Sequence, residues 1–231
     1  LIVSRGLGDV YKRQDIDLIC VTSGPGLIGG LLSGVMFAKG LAKGLNKPIV
    51  GVNHLAAHCF SVKMIHNLDC PYLTLLVSGG HCQFLIVKGV DSFYRLGGTI
   101  DDAPGECFDK IASFLGIGYP GGPIIETRSK KGNEERFDFP KPMYDSTFNM
   151  SFSGLKTAVK RETENLIKKQ GGLYQKDIND ICASFQKTAT EIFKLKTKNA
   201  IKFFYEKYQN HKSLAVVGGV AANEKIKTEL E

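Results

Sequence analysis

Apolar positions along this chain switch between short uninterrupted runs and helical spacing, and the switches mark out most of its elements. Ile16–Val21 is an apolar run that ends in the turn Ser23–Gly24–Pro25–Gly26, after which Leu31, Leu32, Val35, Met36 and Leu41 recur at helical spacing. Strand, tight loop and helix are predicted in that order. Asn46–Lys47–Pro48 stops the helix, Ile49–Val52 reads as a second buried strand, and Asn53 is a good N-cap for a helix carrying His54 and His58. Tyr72–Val77 predicts another strand, broken by Ser78–Gly79–Gly80–His81 and resumed as Gln83–Val87, the outline of a hairpin.

Downstream, Asp102 leads into Pro104 at a first-turn position, Phe108, Ile111 and Leu115 share one helix face, and Gly116 is the stop. Gly118–Pro123 is expected to be irregular, and Arg128–Asp145, polar and broken by Pro140 and Pro142, to be a surface excursion. Ser153–Lys169 and Ile178–Tyr208 read as helices, the second with Phe185, Ala189, Ile192 and Phe193 as its apolar stripe. Leu214–Val217 is a buried strand, Gly218–Gly219 a turn, and Asn223 the start of a new helix. This last unit repeats the first in outline, ICVTSGPGLIGG beside LAVVGGVAANEK, which predicts two related α/β lobes facing a shared cleft, with a boundary near residues 70–73.

Composition narrows the picture without deciding it. A 231-residue chain that is 43% hydrophobic can bury a sizeable core. Ser, Gly and Lys interrupt even the Leu27–Leu45 segment, so no membrane span is expected. Lys and Arg exceed Asp and Glu by 7, a modest excess that permits a polyanion partner without demanding one. The six cysteines are scattered without a CxxC pair, as suits a reducing cytoplasm. Leu1–Gln14 has neither periodicity nor the plan of a signal peptide and is expected to be a non-native or junction segment; at the other end the chain stops inside a predicted helix.

Glycine turns that follow strands are the main functional signal, because they let backbone N–H groups converge on phosphate oxygens. Ser23–Gly26 reads as a packing turn, whereas His81 and Asn223 beside Ser78–Gly80 and Gly218–Gly219 favour ligand contact. Neither GxxxxGK[ST] nor GxGxxG is present, which excludes a P-loop and the Rossmann fingerprint. His54 and His58 stand four apart, close enough on a helix to share a metal ion, but Leu55 occupies the place of a zincin's general base and excludes that chemistry. In the segment DDAPGECFDK, Asp101 and Asp102 are expected to be helix caps, while Glu106 and Asp109 share a face beside Lys110 from which a carboxylate could meet a ligand hydroxyl or amine. The lysines at 156, 160, 168 and 169, and those from Lys187 to Lys212, read as solvated helix faces, with nucleic-acid phosphate as the sharper alternative.

Taken together and in order, GPGLIGGLLSG, VNHLAAH, LLVSGGHCQ, TIDDAPGECFDK, GYPGGP, SFSGLKTAV, ASFQ and GGVAAN closely resemble the tRNA N6-adenosine threonylcarbamoyltransferase family, in its bacterial or organellar wording, over about residues 15–231. The resemblance implies an α/β fold of the actin, Hsp70 and sugar-kinase type, two ribonuclease H-like lobes enclosing a nucleotide. Residues 15–72 would be the remainder of an incomplete first lobe and residues 73–231 a second lobe incomplete at its C-terminus.

The implied activity is transfer of the threonylcarbamoyl group from threonylcarbamoyl-adenylate to N6 of adenosine 37 in tRNAs that read codons beginning with A. His54 and His58 would hold one divalent metal ion, iron in preference to zinc. Leu76, Val77, Ser78, Gly79 and Gly80 would contact the adenylate, with Asp109 and Gly122 along the same cleft, Glu126 at the ribose and Asn223 on the adenine side. No residue is assigned as catalytic base. The implied partners are tRNA, a paralogous subunit and a separate ATPase subunit, in the cytoplasm and away from membranes. Glu126 stands where the bacterial pattern has Asp, and Ala56 where Glu is common. An acidic phosphate-facing loop upstream and a third metal ligand, an aspartate beyond GGVAAN, fall outside the chain, so the chain by itself is expected to be inactive. A small-molecule kinase of the same superfamily and a non-catalytic tRNA-binding or partner-binding fragment are the competing readings.

Overall fold

The computed structural model describes residues 15–231, so the expectation for residues 1–14 lies outside the described residues. The chain divides between Ile65 and His66 into two units. In the first, β1 (Ile19–Gly24) and β2 (Ile49–Asn53) pair in parallel, from Ile19 opposite Ile49 to Thr22 opposite Val52, across the helix α1 (Ile28–Leu45). Helix α2 (His54–Ser61) follows β2 directly, and the Asn53 side chain caps it by accepting from the N–H groups of Leu55 and Ala56 at 2.9 and 3.0 Å.

The second unit holds the main core. Its four-stranded sheet has the order β5-β4-β3-β6, with β3 (Tyr72–Val77) antiparallel to β4 (Cys82–Gly89) and parallel to β6 (Leu214–Val217), and β5 (Ser92–Gly98) antiparallel to β4. All six residues of β3 are buried, which is why its sequence is a continuous apolar run and not an alternation. The long α6 (Gln175–Lys207), about 50 Å from end to end, packs against β3, and α3 (Pro104–Phe114), α4 (Gly121–Ser129) and α5 (Ser153–Gln170) pack with it and with one another around one hydrophobic core. The predicted stripe of Phe185, Ala189, Ile192 and Phe193 is wholly buried, with Phe185 edge-on to Phe108 at 4.8 Å and Phe193 beside Phe152 at 5.6 Å. A short 3-10 turn, Gly219–Ala222, and α7 (Glu224–Leu230) complete the described chain.

Several expectations need correction. The strand at Ile49–Asn53, expected to be buried, is exposed at four of its five positions. Gly118–Pro123 is not wholly irregular, because α4 starts at Gly121. The Asp109 carboxylate accepts the Gly121 N–H at 2.7 Å and supplies from a neighbouring helix the cap that the sequence GYPGGP lacks. Glycine is required there, since a Cβ on residue 121 would lie 2.4 Å from the Phe108 carbonyl oxygen. Strand β5 was not anticipated, because Ser92–Gly98 carries Arg and three small polar or glycine positions and leaves Phe93 and Tyr94 exposed.

The Arg128–Asp145 excursion begins inside α4 and is fastened to α6 instead of standing free. The Arg136 guanidinium bridges Asp177 at 2.6 Å and Asp180 at 2.8 Å, Phe139 is buried, and the fully buried Lys196 ammonium donates to Asp145 Oδ1 at 2.6 Å and to the Thr147 carbonyl at 3.0 Å. Lys196 is therefore no part of a solvated face, and Lys187 and Lys194 are ion-paired with Glu135 and Glu229 at 2.5 and 2.7 Å. Finally, α1 is an unbroken 18-residue helix, long and apolar enough by length and composition to cross a membrane, which the Ser, Gly and Lys positions were expected to prevent. A single such helix is weak evidence, because core helices meet the same test.

Candidate active site

Within the second unit, a cavity of about 220 Å³ opens where four glycine-containing segments meet. Gly79 comes from the β3–β4 turn, Gly105, Phe108 and Asp109 from α3, Gly122, Pro123 and Glu126 from α4, and Gly219, Val220, Ala222 and Asn223 from the turn into α7. The β3–β4 turn is tied to α3 by the Glu106 N–H donating to the Gly79 carbonyl at 3.0 Å. Their backbones approach so closely that a Cβ on Gly105 would lie 2.6 Å from the Gly79 Cα.

Each polar side chain of the cavity also holds a helix start. Asp109 caps α4, Glu126 Oε1 accepts the Glu224 N–H of α7 at 2.7 Å, and Asn223 Oδ1 accepts the Ile226 N–H at 3.1 Å. These bonds fix three side chains whose rotamers would otherwise be free, and they consume only part of each acceptor's capacity. Phe108, Pro123, Val220 and Ala222 supply apolar wall, while the first turns of α3 and α4 bring N-terminal backbone dipoles, which favour negative charge. An apolar slot with a few fixed polar groups and glycine backbone suits a flat ring joined to a polar, anionic part.

Of the residues predicted for the site, Gly79, Asp109, Gly122, Glu126 and Asn223 come together around this cavity. Leu76 and Val77 are fully buried in β3, and Val77 belongs to the hydrophobic core; neither lines the cavity. Ser78 and Gly80 also lie outside its lining, Ser78 serving the turn itself by accepting the His81 N–H at 3.1 Å through its hydroxyl. Sequence reasoning missed Gly105, Pro123, Val220 and Ala222; Phe108, read as a core residue, is one, and its ring also forms cavity wall. A glycine in the first turn of a predicted helix, where it costs stability, was the available signal for Gly105.

The two aspartates before α3 do not cap it; the N-cap is Ala103, without a side-chain hydrogen bond. Asp101 instead reaches the start of α5, accepting from the Ser151 and Ser153 hydroxyls at 2.5 and 2.7 Å and from the Phe152 N–H at 2.8 Å. Burial would raise its pKa, but these hydrogen bonds outweigh it and hold the carboxyl below its ordinary value. Asp102 is ion-paired with Lys156 and with Lys110, and Glu106 with Lys110 at 2.7 Å. Cys107 in the same helix is buried; burial first, and Asp102 next, push its thiol up to about 12, which leaves it unfit as a nucleophile.

In the first unit, His54 and His58 lie on one face of α2 with ring centroids 4.6 Å apart, edge to face. They can offer two imidazole ligands to one metal ion; among the described residues no group of three His, Cys, Asp or Glu side chains gathers around a common point.

The family model described as tRNA N6-adenosine threonylcarbamoyltransferase matches residues 10–231. The chain belongs to that family. Similar curated relatives named tRNA N6-adenosine threonylcarbamoyltransferase include that of Roseobacter denitrificans, 52% identical over 219 residues, which are 94% of this chain and 60% of the relative. Those of Cereibacter sphaeroides strain KD131, at 53%, and Paracoccus denitrificans, at 52%, align with 100% of this chain and 64% of their own length. The chain thus spans about three fifths of the curated threonylcarbamoyltransferases it matches. The mixed α/β architecture agrees with the family's ribonuclease H-like fold, and the small-molecule kinase reading is not favoured.

Proposed function

We propose that the protein to which this chain belongs transfers the threonylcarbamoyl group from threonylcarbamoyl-adenylate to N6 of adenosine 37 of tRNAs reading codons that begin with A. The observation that carries this reading is the cavity in which Gly79, Asp109, Gly122, Glu126 and Asn223 meet, drawn from four family motifs far apart in sequence. The adenylate's base lies against Phe108 and Val220 beside Asn223, its ribose hydroxyls meet the carboxylates of Asp109 and Glu126, and the helix starts and the Gly79 turn face its acyl phosphate. Leu76, Val77, Ser78 and Gly80 act through the backbone that shapes the turn. An exocyclic adenine amine is a weak nucleophile, so alignment and polarisation of the carbamoyl carbonyl contribute more than a strong base.

His54 and His58 would hold a divalent metal ion, iron in preference to zinc, with the remaining positions filled by donors outside the described pair. Such an ion would supply Lewis acidity toward a substrate carboxylate or carbonyl. The excess of 7 positive charges suits tRNA as partner, together with a paralogous subunit and an ATPase subunit in the cytoplasm. The test is an assay of the full-length gene product with threonylcarbamoyl-adenylate and tRNA, the modified nucleoside being read by mass spectrometry. Formation of the modified nucleoside, lost in Asn223→Ala, supports the reading. ATP-dependent phosphorylation of a sugar without any modified nucleoside contradicts it.

A further inference from the structure

Gln186 stands in α6, within the motif ASFQ. It is only 2% exposed and lies outside the cavity lining, but it touches Asn223, which is 7% exposed and lines the cavity. One backbone group settles how both amides are turned. The Ile226 N–H can only donate, so Asn223 presents Oδ1 to it, at 3.1 Å. This turns Nδ2 toward Gln186; Nδ2 can only donate, so Gln186 answers with Oε1, at 3.3 Å. The Oδ1 bond alone would leave the amide free to rock about that contact, whereas two bonds fix its plane. Nδ2 carries two hydrogens, Gln186 takes one, and among the described residues no second acceptor is bonded to it.

We propose that Gln186 is a positioning residue: by accepting one Nδ2 hydrogen it fixes the Asn223 amide so that the other hydrogen is offered to an acceptor atom of a ligand base in the cavity. The inference rests on the adenylate reading above and deepens it. Asn223 then favours bases that present a ring nitrogen or carbonyl at that point, and a neighbour without an acceptor oxygen at position 186 loses that preference. Leaving the second hydrogen without a partner in the free protein is tolerable only where ligand or water completes it.

The test compares Gln186→Leu, which removes the acceptor, with Gln186→Glu, which keeps one, by titration calorimetry with AMP and with ribose 5-phosphate. The expected result is AMP binding weakened about tenfold in Gln186→Leu, as suits one lost hydrogen bond, with ribose 5-phosphate unchanged and Gln186→Glu close to wild type. Equal weakening of both probes would reveal a merely structural role and overturn the proposal, as would unchanged AMP affinity in Gln186→Leu. Failure of the wild-type chain to bind AMP would remove the adenylate reading itself. The positioning is then still read directly from the Asn223 side-chain amide signals by NMR. A shift and faster exchange in Gln186→Leu but not in Gln186→Glu supports it, and identical signals in all three proteins refute it.

Discussion

Strands β2 and β3 are both short apolar runs leading into polar residues, yet β3 is buried throughout while four of the five residues of β2 are exposed. The helices differ in the same way. Only Ala38 and Ala42 of α1 are buried, and Ile28, Leu32, Met36 and Phe37 are each more than half exposed, whereas α6 buries a full stripe of large side chains in the core of the second unit. Hydrophobic spacing therefore specifies which positions can be buried; how many layers surround them decides whether they are. In the second unit the layers are present, and with them the fixed helix starts that frame a cavity.

The sharpest way to break this contrast is a pair of truncations. Phe193→Ala, in the second unit's core, should cost about 3–5 kcal/mol in urea unfolding, while Met36→Ala, at an exposed position of α1, should stay within about 0.5 kcal/mol. A cost at Met36 rivalling that at Phe193 would mean that the α1 face is covered in solution. Next in size is Arg136→Ala, which strands the nearly buried carboxylates of Asp177 and Asp180. Loss of such a pair costs about 3–5 kcal/mol when buried, and partial exposure of the arginine reduces this to about 2–3 kcal/mol. Unchanged stability would show that the 130–145 segment is not fastened by this ion pair.

A smaller effect is expected at low pH. The Lys196 ammonium, and then Thr147, hold the Asp145 carboxyl down from 3.8 to about 2. A depressed folded-state pKa gives stability that is present above about pH 4 and is lost as the pH falls toward 2. Asp145→Asn should therefore flatten the decline of stability between pH 4 and pH 2, and a profile identical to wild type would contradict the assignment. The first unit carries the smallest effect on stability: His54→Ala should leave the unfolding midpoint within experimental scatter but lower bound metal, measured by elemental analysis of the purified full-length protein. Equal metal content in both proteins would separate the His pair from any metal.

Most of the fold was legible because local and global preferences agree: β3, β6, α5 and α6 follow their apolar patterns to within a few residues. Three of the misses share one physical cause. Helix α4 has an unhelical first turn and depends on Asp109, 12 residues upstream, for its cap. Asp101 caps a helix some 50 residues away, and Lys196 is buried because Asp145 and Thr147, on another segment, receive its charge. Polar groups satisfied across long stretches of chain leave no periodicity to read. Five of the nine residues that the family resemblance implied as substrate contacts meet at the cavity, because motifs far apart in the chain converge there. Leu76 and Val77 share the turn's motif but serve the core.

On the proposed function, the cavity of the second unit receives the adenylyl part of the donor. Crystals of the full-length protein grown with a non-hydrolysable analogue of threonylcarbamoyl-adenylate test it most directly. The adenine is expected beside Asn223 and Val220 and the ribose between Asp109 and Glu126. Density for the nucleotide elsewhere, with this cavity vacant, would contradict it.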